Sequence, residues 1–74
     1  MIYGTDSDTT ERLLKLWKEL SGGYSTRADV IDQLISWSGS EAVEAAMRNM
    51  ALQQKANPVG LDGQIERVEK ILGR

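Results

Sequence analysis

Residues 12–35 read RLLKLWKELSGGYSTRADVIDQLI, and the rest of the chain is organised around them. Apolar residues recur in each half at the i, i+3, i+4 spacing that places side chains on one face of an α-helix: Leu13, Leu16, Trp17 and Leu20, then Val30, Ile31, Leu34 and Ile35. Between the halves, Gly22 and Gly23 offer the positive-φ positions that end a helix, and Ser25 or Thr26 offers a capping oxygen. The stretch therefore predicts two amphipathic helices, at about residues 9–20 and 26–37.

Two more helices are predicted after this stretch. Ser38 and Glu41 have capping-box spacing and predict a third helix over about residues 40–55. Its expected buried face consists of small residues and thioethers: Val43, Ala46, Met47, Met50 and Ala51. Pro58 ends it, since proline disfavours helix at the preceding residue. Asp62 then caps a last helix that ends at Gly73 and carries an apolar stripe: Leu61, Ile65, Val68 and Leu72.

The first five residues, MIYGT, are partly β-prone and precede a cluster of turn formers. They predict either a brief strand or an untethered arm. The expected fold class is therefore mainly α: a short N-terminal strand or arm followed by about four short helices. We expect one small helical domain over residues 1–74, with residues 1–37 as its first unit and residues 38–74 as a helical C-terminal extension.

Composition limits the function. The chain has 74 residues, no cysteine, no histidine and a formal net charge of −2. These values exclude disulfide frameworks, thiolate catalysis and the commonest metal ligand, so we expect no cofactor and no metal site. No signal-peptide or membrane-spanning pattern is present, which predicts an intracellular, cytoplasmic protein. Because a chain this short can form only a small core, we expect part of its apolar surface to be buried against a partner.

The segment from Leu16 to Ile35 resembles the two helices of the ribbon-helix-helix DNA-binding family. In that family the second helix opens with a glycine, an apolar or aromatic residue, and a short polar run with arginine before two aliphatic residues. The corresponding residues here are GYSTRADVI, at positions 23–31. The resemblance implies a homodimer whose N-terminal strands pair into a ribbon that enters the major groove of duplex DNA.

The same resemblance implies five DNA-binding residues. Ser25, Thr26 and Arg27 would grip a phosphate at the start of the second helix, where exposed amides and the helix dipole also favour an anion. Tyr3 and Thr5 would face base edges from the ribbon. The leading hypothesis is thus a small dimeric transcriptional regulator of the repressor or antitoxin type. The alternative for these three residues is a structural role, in which Ser25 and Thr26 only cap the helix and Arg27 is a solvated surface charge.

A second hypothesis is a helical protein–protein interaction module or inhibitor without DNA binding. Residues 1–11 contain no basic side chain and three acidic ones, which opposes phosphate contact. The Ala/Met face of the third helix is adaptable, so the C-terminal helices are candidates for binding a protein partner.

Other readings of the sequence are weaker. Trp37-Ser38-Gly39 is similar to the W-x-G turn of small secreted helical hairpins, but the preceding helix is too short, so we interpret Trp37 as a buried residue at a helix boundary. A helix-turn-helix would place Glu41 and Glu44 against phosphates, which they would repel. Asp29 and Asp32 have the spacing of an acid/base pair but fit a capping and a surface role. We therefore predict that the chain is not an enzyme.

Overall fold

The computed structural model describes residues 7–73, which form four α-helices. Their bounds are α1 Ser7–Leu20, α2 Ala28–Ser38, α3 Ser40–Ala56 and α4 Leu61–Ile71. Within this part of the chain there is no strand. The mainly α prediction is confirmed, and the helices lie close to where the hydrophobic spacing placed them.

The central element is α3, which packs against each of the other three helices. Its inward face consists of the five residues predicted from the sequence: Val43, Ala46, Met47, Met50 and Ala51. From α1, Leu13 and Trp17 join this core with no exposed surface, and α2 contributes Ile31, Leu34 and Ile35. Helix α4 adds Val68, while the other residues of its stripe are partly buried against the same cluster. One continuous core therefore involves all four helices.

The ribbon-helix-helix prediction is wrong for this fold. It assumed that the apolar faces of α1 and α2 need a second copy of the chain to cover them. In the structure, α3 of the same chain packs against both helices and shares one core with them. Residues 7–73 contain no strand with which a ribbon could be built. The predicted strand or arm at residues 1–5 lies outside the described residues.

The predicted side-chain caps are also wrong. Helix α2 begins two residues later than expected: its N-cap is Arg27, which makes no side-chain capping hydrogen bond within the described residues. Ser38, expected to cap α3, is instead the last residue of α2, and Gly60 rather than Asp62 is the N-cap of α4. The helices are thus set by burial of their apolar faces, and not by the capping boxes.

A single residue, Gly39, connects α2 to α3. Its φ of 87° and ψ of 154° lie in a region that essentially only glycine adopts. Its N–H donates to the Ile35 carbonyl (2.7 Å), and its carbonyl accepts from the Val43 N–H (3.1 Å). Gly39 therefore ends one helix and begins the next, which leaves no separate position for a side-chain cap.

We predict that Gly39→Ala lowers the free energy of unfolding by about 1–3 kcal/mol, because a Cβ is strained in this backbone conformation. Urea denaturation followed by circular dichroism measures the change. Gln33→Ala, on the exposed side of α2, is the control and should stay within about 0.5 kcal/mol of the parent. Equal stabilities for the two variants would contradict the strain at Gly39.

Candidate functional site

Three of the five predicted DNA-binding residues lie within the described part of the chain. Ser25 is exposed and Thr26 half-buried, in the segment between α1 and α2. Arg27 directly precedes α2, and its side chain is 81% exposed. The structure thus brings these three residues together at the start of α2. Tyr3 and Thr5 lie outside the described residues.

The charge at the start of α2 is partly neutralised. Nε of Arg27 lies 3.3 Å from Oδ1 of Asp29, in an exposed ion pair. Asp29 itself belongs to the first turn of the helix, where a carboxylate interacts favourably with the dipole. The hydroxyl of Thr26 is buried and has no hydrogen-bond partner within residues 7–73. An anion arriving here would compete with Asp29 for both Arg27 and the helix terminus.

Asp29 and Asp32 do not form an acid/base pair. Asp29 binds Arg27, whereas Oδ1 of Asp32 accepts a hydrogen bond from the hydroxyl of Thr10 at 2.7 Å. Thr10 is only 6% exposed, so this bond links α1 to α2 at the edge of the core. The part of the chain that the structure describes holds no cluster of acidic side chains able to bind a metal ion.

A groove lies between the end of α1 and the second half of α3, hereafter the α1/α3 groove. Its volume is 720 Å³. The walls come from α1, from the turn after it, from α3 and from the α3–α4 loop: Glu19, Leu20, Ser21, Gly22, Tyr24, Ala51, Gln54, Lys55, Pro58, Val59 and Gly60. A second depression of 450 Å³ shares four of these residues and continues the groove toward Arg48 and Leu52.

The turn after α1 holds Tyr24 at the groove. Gly22 and Gly23 have φ values of +83° and +103°, as the sequence predicted for this turn. The Ser21 side chain is buried, and its hydroxyl donates to the Tyr24 carbonyl at 3.0 Å. Tyr24 itself remains 45% exposed. The wall formed by this turn is therefore fixed by a partly buried hydrogen bond, with an aromatic side chain at its edge.

The opposite wall is held by a glutamine that the sequence analysis missed. Gln54 makes two hydrogen bonds to the backbone of Val59: its Nε2 donates to the carbonyl (2.9 Å) and its Oε1 accepts from the N–H (3.0 Å). Gln64, which is fully buried, also donates to the Val59 carbonyl at 3.3 Å. Arg67 completes the network by donating to Oε1 of Gln54 and to the Asn57 carbonyl.

A weak signal for this network exists in the sequence. Gln64 stands four residues before Val68, on the apolar side of α4, where a polar residue needs a buried partner. Gln54 occupies the corresponding inner side of α3, next to the buried pair Met50 and Ala51. The spacing shows that both side chains point inward, but it does not show that they meet at one loop carbonyl.

Comparisons of this chain with protein-family models, with curated proteins and with solved structures found no match. Residues Leu16 to Ile35 resemble the ribbon-helix-helix family, and membership of that family thus stays a prediction. Of the helices in residues 7–73, none combines the length and the apolar character needed to cross a membrane.

We predict that Gln54→Ala lowers the free energy of unfolding by about 1–3 kcal/mol, because it leaves the Val59 N–H without a partner. Amide hydrogen exchange should also become faster at Val59. The control is Gln53→Ala, since the neighbouring Gln53 is exposed and its side chain donates to Asn49 on the surface (3.3 Å). Unchanged exchange at Val59 in Gln54→Ala would show that the loop does not depend on this side chain.

Proposed function

We propose that the chain is a helical protein-interaction module that binds a segment of another protein in the α1/α3 groove. The observation that supports this function best is that an exposed apolar side chain lines each of the two adjoining depressions that form the groove. Tyr24 is 45% exposed beside its turn wall, and Leu52 is 68% exposed where the groove continues along α3. Clustered apolar exposure beside a concave surface is typical of protein-binding sites.

The groove between these two residues is suited to a side chain from a partner. Leu20 and Ala51 line both of its parts, and Leu20 is packed against the core. At the loop end, Pro58 and Val59 add further apolar surface. An apolar anchor that enters here would contact a wall held by the Gln54 network. Such pre-formed pockets lower the entropic cost of binding.

Charge indicates the chemistry of the bound segment. Lys55 on the α3 wall and Glu19 on the α1 wall are exposed, and neither forms an ion pair with another described residue. Arg48, by contrast, is held by Glu44 at 3.1 Å. Among the described residues that line the groove, the cation available to a partner is therefore Lys55. We infer that the preferred segment has an apolar side followed by a carboxylate that reaches Lys55.

Selection of random displayed peptides on the immobilised protein tests this function, with fluorescence anisotropy of the selected peptides as the readout. We expect sequences that combine apolar residues with an acidic residue, and binding that perturbs the amide resonances of Leu20, Tyr24 and Val59. Tyr24→Ala should weaken binding about 5- to 10-fold, because exposed aromatics at a groove carry much of the affinity.

Trp37→Ala is the matched control, because Trp37 is 44% exposed, like Tyr24, but does not line the groove. Its effect on peptide affinity should be less than twofold. Equal losses in both variants, or perturbed resonances confined to α4, would contradict the groove as the binding site.

Duplex DNA remains the second candidate ligand. One observation favours it: the first turn of α2 has no side-chain cap among the described residues, and Thr26 keeps an unpartnered hydroxyl beside it. Uncapped amides at a helix N-terminus are suited to a phosphate oxygen. The Arg27–Asp29 pair and the formal net charge of −2 count against it.

If DNA is bound there, Arg27→Ala should weaken binding equally on all sequences and lower the salt slope by about one. Anisotropy titrations of labelled duplexes over a range of salt concentrations measure both quantities. The control is Lys70→Ala, which removes an exposed cation from α4 and should leave the slope unchanged. Absence of duplex binding even at low salt would remove this candidate.

A further inference from the structure

The outward side of α3 carries a second surface that the groove does not explain. Five exposed residues lie on it at positions i, i+3, i+7, i+10 and i+14: Ala42, Ala45, Asn49, Leu52 and Ala56. This is the a/d spacing by which two helices pack along a common seam. We call these five residues the outer face of α3. It contains no charged side chain over four helical turns, although it is exposed.

Charged residues border the outer face along one edge. Three charged residues lie seven positions apart along this edge: Glu41, Arg48 and Lys55. Each directly precedes a residue of the outer face, at the position called g in a heptad. All three are exposed. The edge thus runs from negative, at the start of α3, to positive at its end. When two copies of the helix lie antiparallel, the negative end of each edge therefore lies beside the positive end of the other.

We propose that the outer face of α3 binds the same face of a second copy of this chain, with the two helices antiparallel. This contact goes beyond the proposed function, because its occupant is a second copy of this chain and its seam follows the outward side of α3. It shares Leu52 and, at the charged edge, Arg48 and Lys55 with the groove. It also contains no ribbon. It differs from the dimer that the sequence resemblance implied, in which the N-terminal strands made the contact.

Side-chain size supports one particular register. When Leu52 of each copy faces Ala42 of the other, Asn49 of each copy automatically faces Ala45 of the other. The largest residue on the seam then packs against one of the smallest, twice. Layers that pair large with small residues interdigitate without voids and let the helix axes approach closely.

The same register matches the charged edge. It brings Glu41 of each copy next to Lys55 of the second copy, which makes two attractive pairs related by symmetry. Only Arg48 meets its own equivalent, and its charge is already compensated by Glu44 at 3.1 Å. Asn49 retains an exposed hydrogen bond from Gln53 (3.3 Å) at the margin of the seam. A parallel arrangement would not bring Glu41 and Lys55 together.

Space beside the outer face is compatible with this contact. On one side lies the depression bounded by Arg48, Leu52 and α1. On the other side a depression of 480 Å³ separates Ala45 and Asn49 from Ile71 and Leu72 at the end of α4. Leu52 thus borders one depression, and Ala42, Ala45 and Asn49 border the other, so there is space on both sides of the outer face for the side chains of a second helix.

Charge reversal on the full chain tests the proposal. Sedimentation equilibrium up to about 1 mM, a concentration at which even weak self-association is detected, should show a monomer–dimer equilibrium. Glu41→Lys and Lys55→Glu should each weaken the dimer about tenfold, and the double variant should restore it to within about threefold of the parent. Leu52→Ala should also weaken it about tenfold, without changing the circular dichroism spectrum.

Two controls separate this contact from others. Glu66→Lys makes the same charge change on an exposed position of α4 and should leave the dimer constant unchanged. Since the chain has no cysteine, single cysteines can also report the register with a short thiol crosslinker. Arg48→Cys should crosslink with itself. Glu41→Cys should not, because its equivalents would lie about 18 Å apart along the seam.

A chain that stays monomeric throughout this concentration range would overturn the proposal. So would a double variant as weak as the single ones, or self-crosslinking of Glu41→Cys, which would indicate a parallel pair. The expected pattern instead combines rescue by the double charge reversal with crosslinking at position 48 alone.

Discussion

The structure depends on the burial of one side of α3. Val43, Met47 and Met50 have no exposed surface, and the other three helices pack around this side. Each of them is amphipathic and short, so none could bury its apolar face without α3. A domain of this size has little hydrophobic core to spare. The three polar atoms buried without partners in the described chain, on Trp17, Thr26 and Gln64, are an additional cost.

The surfaces proposed for binding follow from this arrangement. A helix surrounded on one side by three neighbours still has an outward side, and on α3 that side is uncharged along the seam. The groove beside α1 exists because α1 ends at Leu20 while α3 continues to Ala56, and the turn at Gly22 leads the chain away toward α2. Both surfaces are therefore products of helix lengths and turns, and the groove also uses Ala51 from the core and Leu20, which packs against it.

The sequence predicted the helices well, but it did not predict which element covers each apolar face. Periodic apolar residues are local information, so the spacing in residues 12–35 and on α3 gave the correct buried faces. The surface that covers a face is not local. The resemblance implied a homodimer, in which a second copy of the chain would cover the apolar faces of α1 and α2. In the structure, α3 of the same chain covers them. Trp37 shows the same difficulty, because an aromatic residue at a helix boundary was expected to be buried and is 44% exposed.

The candidate sites could be predicted only in part, for a related reason. Ser25, Thr26 and Arg27 are adjacent in sequence, and they remain together in space at the start of α2. The groove brings together α1, a turn, α3 and a loop, and no single segment carries its pattern. A partner that binds only the folded chain would stabilise it by mass action. For a core this small, binding at the groove and pairing through α3 would then also raise the stability of the fold, so the same helix would serve both the core and the contacts that reinforce it.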